Sequence, residues 1–383
     1  MKTDHSNAGQ LLKRLSSFTL GAGVLLAALS LFVLSRDPVQ FERSYLVGFF
    51  FTLAPAGGAL ALLGLHRLTG GRWGDAIFDF LTTAARTLPW FTVLFLPILF
   101  GMDLIFPWAE AGWLDTHAAT ENKTLYFDPK FFIGRALFYF VAWSWLARIT
   151  LAVPAKPDCN RSRARGATVL LIYVLTTTFA AIDWGMSLGP EWFSTMYGMI
   201  IILGQLLSVL TLAILVRCVA AEAYREKELE GSTCHDLGTL LFAFVMTWAY
   251  LGFSQFLIIW SANLPEEATW YLERLAPGWK ALATSLVALH FAVPFLLLLL
   301  RKVKRKPRHL ALVCALVFAT RLPEILWLIV PSFHPEELHI HWLDVVLPIA
   351  LFCLWFGMVL RALGERLASP EAADASPEPM VGS

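Results

Sequence analysis

Residues 236–267 read DLGTLLFAFVMTWAYLGFSQFLIIWSANLPEE, and the length of this run decides the fold. From Leu237 to Ala262 no side chain is charged. A helix needs about 20 apolar residues to cross a bilayer, so this segment reads as a membrane span. It is not uniformly apolar. Ser254, Gln255, Ser261 and Asn263 interrupt its second half, which ends on the paired acids Glu266 and Glu267. Helical spacing sets Tyr250, Ser254 and Ser261 on one stripe and turns Gln255 toward a neighbouring face.

The same reading extends over the whole chain of 383 residues, of which 57% are hydrophobic and 15% charged. Soluble domains carry about 25% charged residues, so the composition is that of a polytopic membrane protein. Apolar runs predict about ten spans: 17–34, 45–65, 88–106, 131–151, 167–188, 195–220, 237–262, 282–300, 310–330 and 342–360. Each must be a helix, because lipid offers no partners to open backbone groups. The expectation is an all-α integral membrane protein with residues 1–16 as a cytoplasmic N-terminus, a membrane domain over 17–363 and a disordered cytoplasmic tail over 364–383. The first run follows Lys13 and Arg14 as a signal peptide would. Ser35, Arg36 and Asp37 offer no small-residue cleavage site, so it reads as a retained span.

Basic residues give the expected orientation. The N-terminus and alternate connections hold Lys13 and Arg14, Arg67, Arg72 and Arg86, Lys156 to Arg165, Arg217 to Lys227, the cluster Arg301 to Arg308, and Arg361 with Arg366. The other side holds Arg36, Arg43, Lys123, Lys130, Arg274 and Lys280. The positive-inside rule therefore predicts both termini in the cytoplasm. Residues 68–81, LTGGRWGDAIFDFL, read as a turn and a short amphipathic helix on the cytoplasmic face. A net charge of +1 motivates no nucleic-acid partner.

The five cysteines stand far apart, with neither CxxC nor CxxCH, so disulfide, iron–sulfur and covalent haem frameworks are unsupported. Of nine histidines only His290 falls mid-span, and it reads as a hydrogen-bonded core residue. The expectation is a chain without a redox cofactor of its own. His334, Glu336, Glu337, His339 and His341 cluster near the last connection, but their spacing matches no metal motif and reads as an exposed surface.

Ionisable groups inside spans cost a few kcal/mol on insertion scales, which makes each a candidate site. Arg321 and Glu324, at i and i+3 around Pro323, share one helix face. They read equally as a structural pair or as a proton-exchange or quinone-head site. Asp183 and Glu324 each lie roughly 24–27 Å along a span that follows a basic cluster, and a tryptophan follows each, Trp184 and Trp327. This hints at a parallel internal repeat of two four-helix units, 45–188 and 195–330.

Several strings then resemble one family: LTGGRWG (68–74), RTLPWFTVLFLPILFG (86–101), DWGMSLGPEWFSTMYG (183–198), the opening run (236–267) and FHPEELHIHWLD (333–344). Together and in this order they resemble the ActF-type, second NrfD-like membrane subunit of bacterial alternative complex III, a quinol:cytochrome c oxidoreductase of the bacterial inner membrane. The resemblance implies an NrfD-like fold, two four-helix bundles with a flanking helix on each side. It implies haem c and iron–sulfur clusters in partner subunits, namely an iron–sulfur subunit and a multihaem cytochrome c beside an NrfD-like sister subunit. It leaves open whether quinol or quinone binds here. The implied polar path for protons comprises Asp183, Ser254, Gln255, Asn263, Glu266, Arg321, Glu324, His334 and Asp344. Alternatives are a quinol-binding anchor like those of polysulfide or nitrite reductases, and a secondary transporter, for which no interrupted helix pair stands out.

Overall fold

The computed structural model describes residues 2–110, 112–113, 121–152, 160–224 and 231–368. Lys156, Arg225, Lys227 and the tail 369–383 lie outside the described residues. The described residues contain helices and no strands, and nine of their helical segments are long and apolar enough to cross a membrane. The chain is an all-α, multi-pass membrane protein.

The first helix, α1 (Lys2–Leu34), begins well before the expected span and runs for 33 residues, roughly 50 Å. Next, α2 (Pro38–Thr69) starts on two local signals: Pro38 at the first helical position and the Asp37 carboxylate accepting the Gln40 N–H at 3.0 Å. It ends at Gly70, whose φ of 64° favours glycine. The apolar window of α2 is entirely buried, because it is the central helix rather than a lipid-facing one.

After the Gly70–Gly71 turn, α3 (Arg72–Ala85) packs Ile77, Phe80, Leu81 and Ala84 inward. As expected it is a short amphipathic helix after a turn, and it lies across one end of the bundle, with Gly74 against His66 of α2 and the Thr82 hydroxyl accepting from Arg366 of the last helix at 3.1 Å. Short helical pieces then lead to Phe100, and residues 72–100 together qualify by length and composition as one of the nine apolar segments. The short pieces follow from Pro89 and Pro97, each of which removes a backbone donor from the ladder.

The remaining long helices are α4 (Pro129–Leu151), α5 (Asn160–Trp184), α6 (Thr195–Tyr224) and α7 (Gly231–Ala262). They are followed by α8 (Pro265–Arg274), α9 (Trp279–Leu286), α10 (Val293–Leu299), α11 (Pro307–Ala319), α12 (Arg321–Ile329) and α13 (Leu343–Ala368). Within this set α4 is long enough to span but is not among the nine, since Arg135 and Arg148 lower its apolarity. The last helix continues to Ala368, so 364–368 are helical rather than part of a tail.

Two helix pairs organise the bundle. One is α2 with α6, in contact with each other and each with further helices of its own half: α2 with α5, α6 with α7 and α11. Their approach depends on Gly57 and Gly58, since a Cβ at Gly58 would collide with the backbone carbonyl of Gln205. The other pair is α1 with α13. The Ser16 hydroxyl donates to the Gly357 carbonyl at 2.8 Å, while a Cβ at Gly23 would meet Leu354 and one at Gly364 would meet Gly9. Those pairings run antiparallel, so residues 9 and 364 lie at the same end.

The opening run is now explained locally. Asn263 ends α7 with a φ of 49°, the left-handed conformation of a helix C-cap, and its N–H bonds to the Ile259 carbonyl at 3.0 Å. Pro265 starts α8, and Glu266 and Glu267 are acids in its first turn, where the helix dipole favours negative charge.

Candidate functional site

Two buried ion pairs lie in the two halves of the fold, and they differ in how completely they are satisfied. In the first, the Asp183 carboxylate near the end of α5 is 1% exposed. Arg135 of α4 grips it with two bonds, Nε to Oδ2 at 2.8 Å and Nη2 to Oδ1 at 3.0 Å. The Tyr126 hydroxyl donates to Oδ1 at 2.7 Å and the Tyr139 hydroxyl to Oδ2 at 2.8 Å. Arg135 also donates to the Tyr126 carbonyl and lies over the Tyr126 and Phe131 rings. Burial and then the Asp183 charge push the Tyr126 phenol above its ordinary range, which keeps it a donor.

Four donors on two oxygens leave this carboxylate no vacant role. Charge-assisted bonds of this kind fasten α4, α5 and the preceding connection. Asp183→Asn is expected to destabilise the protein by about 3–5 kcal/mol, because it leaves Arg135 uncompensated. Tyr139→Phe removes one of the four donors to the carboxylate and leaves the Arg135 pair in place, so it should cost less, about 1.5–3 kcal/mol. Heating followed by size-exclusion chromatography ranks the two, and equal losses would contradict the latch.

The second pair is incomplete by comparison. The apolar segment 307–332 breaks at Thr320 because Pro323, three residues on, has no N–H and crowds the preceding turn. Beyond the break, Arg321 and Glu324 on α12 are each 2% exposed and form a direct ion pair. Arg321 Nε donates to the Ser208 hydroxyl of α6 at 3.1 Å, and the guanidinium lies against Gly204, where a Cβ would displace it. On the other oxygen of Glu324, Oε1, the indole Nε1 of Trp248 from α7 donates at 2.7 Å.

His290 completes the centre. It lies in a π-helical stretch, residues 287–292, where the Val293 N–H reaches back five residues to the Ala288 carbonyl. Pro294 just beyond lacks an N–H, which favours the wider turn, and such π-bulges recur at functional sites. The imidazole is fully buried, packs edge-on against Trp248 at 4.6 Å, and has Nδ1 2.6 Å from the Thr320 hydroxyl oxygen. That hydroxyl donates to the helix carbonyls of Leu316 and Val317, at 3.1 and 2.9 Å. Its oxygen therefore accepts from Nδ1–H, a tautomer assigned from the network. In the neutral ring Nε2 is then a bare lone pair, 3.7 Å from Glu324 Oε2 and without a hydrogen-bond partner among the described residues. A carboxyl proton on Glu324 has a ready acceptor.

Other expected site residues are distributed elsewhere. Gln255 is 2% exposed on the same face of α7 as Trp248, two turns or roughly 10 Å further along, and its Nε2 also has no partner among the described residues. Ser254 is half-buried, while Tyr250 and Ser261 of its stripe are exposed. The stripe thus turns outward, and only Gln255 faces the interior. Asn263 is the exposed cap of α7.

Glu266 is exposed on α8. Asp344 joins the starts of α2 and α13: it accepts from Ser44 Oγ at 2.5 Å, Gln40 Nε2 at 2.9 Å and the His341 N–H at 2.9 Å. The half-buried His334 ring lies tilted against His339 with centroids 4.7 Å apart, and burial, His339 and Arg43 hold it below the usual histidine range. Among the described residues no three His, Cys, Asp or Glu converge as metal ligands.

Of the nine expected residues Arg321 and Glu324 form an ion pair, and His334 and Asp344 lie close enough for their charges to interact. Arg135, Tyr139, Trp248 and Ser208 were not expected. A short-range signal existed for Arg135, a charge inside an apolar run. The indole and hydroxyl partners carry no such mark, since both residue types are common in spans. Glu42 was also missed: it is buried near the start of α2, where a Cβ on Gly101 would strike it, and its Oε2 has no partner among the described residues. The chain matches no protein-family model, and no curated protein matches it.

Proposed function

We propose that the chain is an integral membrane subunit of a respiratory quinol:electron-acceptor oxidoreductase of the alternative complex III kind. In this reading it builds the membrane scaffold and passes protons at the Glu324–His290 centre. Haem c and iron–sulfur clusters belong to neighbouring subunits, including an NrfD-like sister chain. The ordered strings quoted above support the family assignment.

The carrying observation is the bare Nε2 of His290, 3.7 Å from a buried carboxylate that is only partly satisfied by its own arginine. A structural pair needs complete satisfaction, as Asp183 has. A proton-exchanging pair needs an acceptor left open, as here. Gln255, buried on the same face of α7 and with its Nε2 unpartnered among the described residues, extends the polar interior beyond it.

The antiparallel packing of α1 on α13 supports a reading with both described ends on one side and an even number of crossings. Nine helical segments qualify by length and apolarity, so α4 is the tenth crossing, its Arg135 neutralised by Asp183. With the basic clusters inside, both termini face the cytoplasm of the bacterial inner membrane.

Glu324→Gln, introduced in the assembled complex, keeps the hydrogen bond from Trp248 and removes the exchangeable carboxyl. Quinol oxidation and proton release measured together test the role. Proton release is expected to slow by roughly tenfold or more relative to wild type. Unchanged rate and stoichiometry would exclude Glu324 from the path.

A further inference from the structure

A cavity of about 320 Å³ opens at the acid-rich end of the fold, away from the Glu324 centre. Its lining includes Glu191 and Trp192 from the connection between α5 and α6, Glu266, Trp270 and Glu273 from α8, and Ser332. The two indoles stack with centroids 4.7 Å and planes 11° apart. Glu273 is held by Arg274, whose Nη1 lies 3.3 Å from Oε2 and whose Nη2 donates to Ser332 Oγ at 3.1 Å. Glu191 and Glu266 are exposed and have no protein partner among the described residues. Trp192 is only 6% exposed, yet its Nε1 has no acceptor among those residues.

We infer that this cavity receives a lysine or arginine side chain of a partner protein docked on this face. The charge balance selects a cation: three carboxylates line the cavity, and among the described residues the neighbouring guanidinium of Arg274 is committed to Glu273. Carboxylates and the face of an indole both stabilise an ammonium or guanidinium head. A metal ion is a poorer occupant, because no three carboxylates converge as ligands among the described residues.

The Trp192 indole N–H, without an acceptor among the described residues, narrows the choice further. A buried donor without an acceptor is costly, and the peptide carbonyl beside a basic side chain supplies one where a free amine does not. Phe193 and Leu272, neighbours in sequence of lining residues, are 68% and 67% exposed and offer the apolar rim of a docking surface. This assignment stands apart from the respiratory reading.

The test uses the full chain in lipid nanodiscs and three acetylated, amidated tripeptides, Gly-Lys-Gly, Gly-Arg-Gly and Gly-Gln-Gly, followed by saturation-transfer NMR. The basic peptides are expected to bind about tenfold more tightly than the glutamine peptide. Glu191→Gln with Glu266→Gln, both at exposed positions, should abolish that difference. Glu336→Gln with Glu337→Gln, on the neighbouring connection, should leave it intact. Equal binding of all three peptides, equal loss in both double variants, displacement by equimolar calcium, or butylamine binding as tightly as the lysine peptide would each overturn the assignment.

Discussion

Arg321→Ala is expected to cost the solubilised protein about 3–5 kcal/mol of stability, the largest loss of any single charge removal in the second half of the fold. The reason is the position of Glu324, 2% exposed and beside a histidine ring, which would keep its carboxylate with only the Trp248 indole as a fixed donor. Removing both charges is different. Arg321→Met with Glu324→Leu replaces the pair by apolar groups of similar size and should recover most of the loss. Fluorescence-detected size-exclusion chromatography after heating measures both. A single variant as stable as wild type, or a double variant no better than the single, would contradict this account of the pair.

Gly58→Leu is expected to abolish the monodisperse, folded protein altogether. A Cβ there meets the Gln205 backbone carbonyl and approaches Val209 at 2.9 Å, so the contact is with main chain and cannot be relieved by a rotamer change. Separating α2 from α6 would open the centre of the bundle, where the apolar windows are 100% and 72% buried. Overpacking a core commonly costs about 1–3 kcal/mol, and a backbone clash costs more. Gly21→Leu is the matched control, since nothing lies within 4 Å of a Cβ at that position on α1. It should express and elute as wild type, and a comparable loss there would point to helix propensity rather than to packing.

Much of the architecture was legible because a bilayer imposes one rule on every segment: a long apolar run must satisfy its own backbone. Residues 237–262 illustrate it, and the helix ends there on a conformation that Asn263 tolerates and a proline that begins the next helix. Glu266, which the resemblance assigns to a polar path, stands with Glu267 in the first turn of α8. Local sequence already contained that alternative, in the Asn-Leu-Pro-Glu order of an end and a start. Residues 68–81 were legible for a related reason, since the Gly70–Gly71 turn and the amphipathic pattern of α3 are both local. The pattern does not say which helices its apolar face meets, and packing against α2 supplies that.

The candidate site was legible in its charges and illegible in their company. Asp183 and Glu324 look alike in the sequence, each an acid far along a span and followed by a tryptophan. Their satisfaction differs because of residues distant in the chain: Arg135 and Tyr126 for one, Trp248 and His290 for the other. His290, read as a core residue because it stood alone in its span, is brought beside Glu324 by the break at Thr320 and the π turn before Pro294.

The sequence by itself determined that this chain is a bundle of membrane helices and which of its charges are expensive, because hydrophobic length and the cost of burying charge are properties of single segments. Only the tertiary structure decided which carboxylate is saturated and which retains an open proton acceptor. That outcome depends on the number of donors that separate helices deliver to one oxygen, and no spacing along a single helix encodes it.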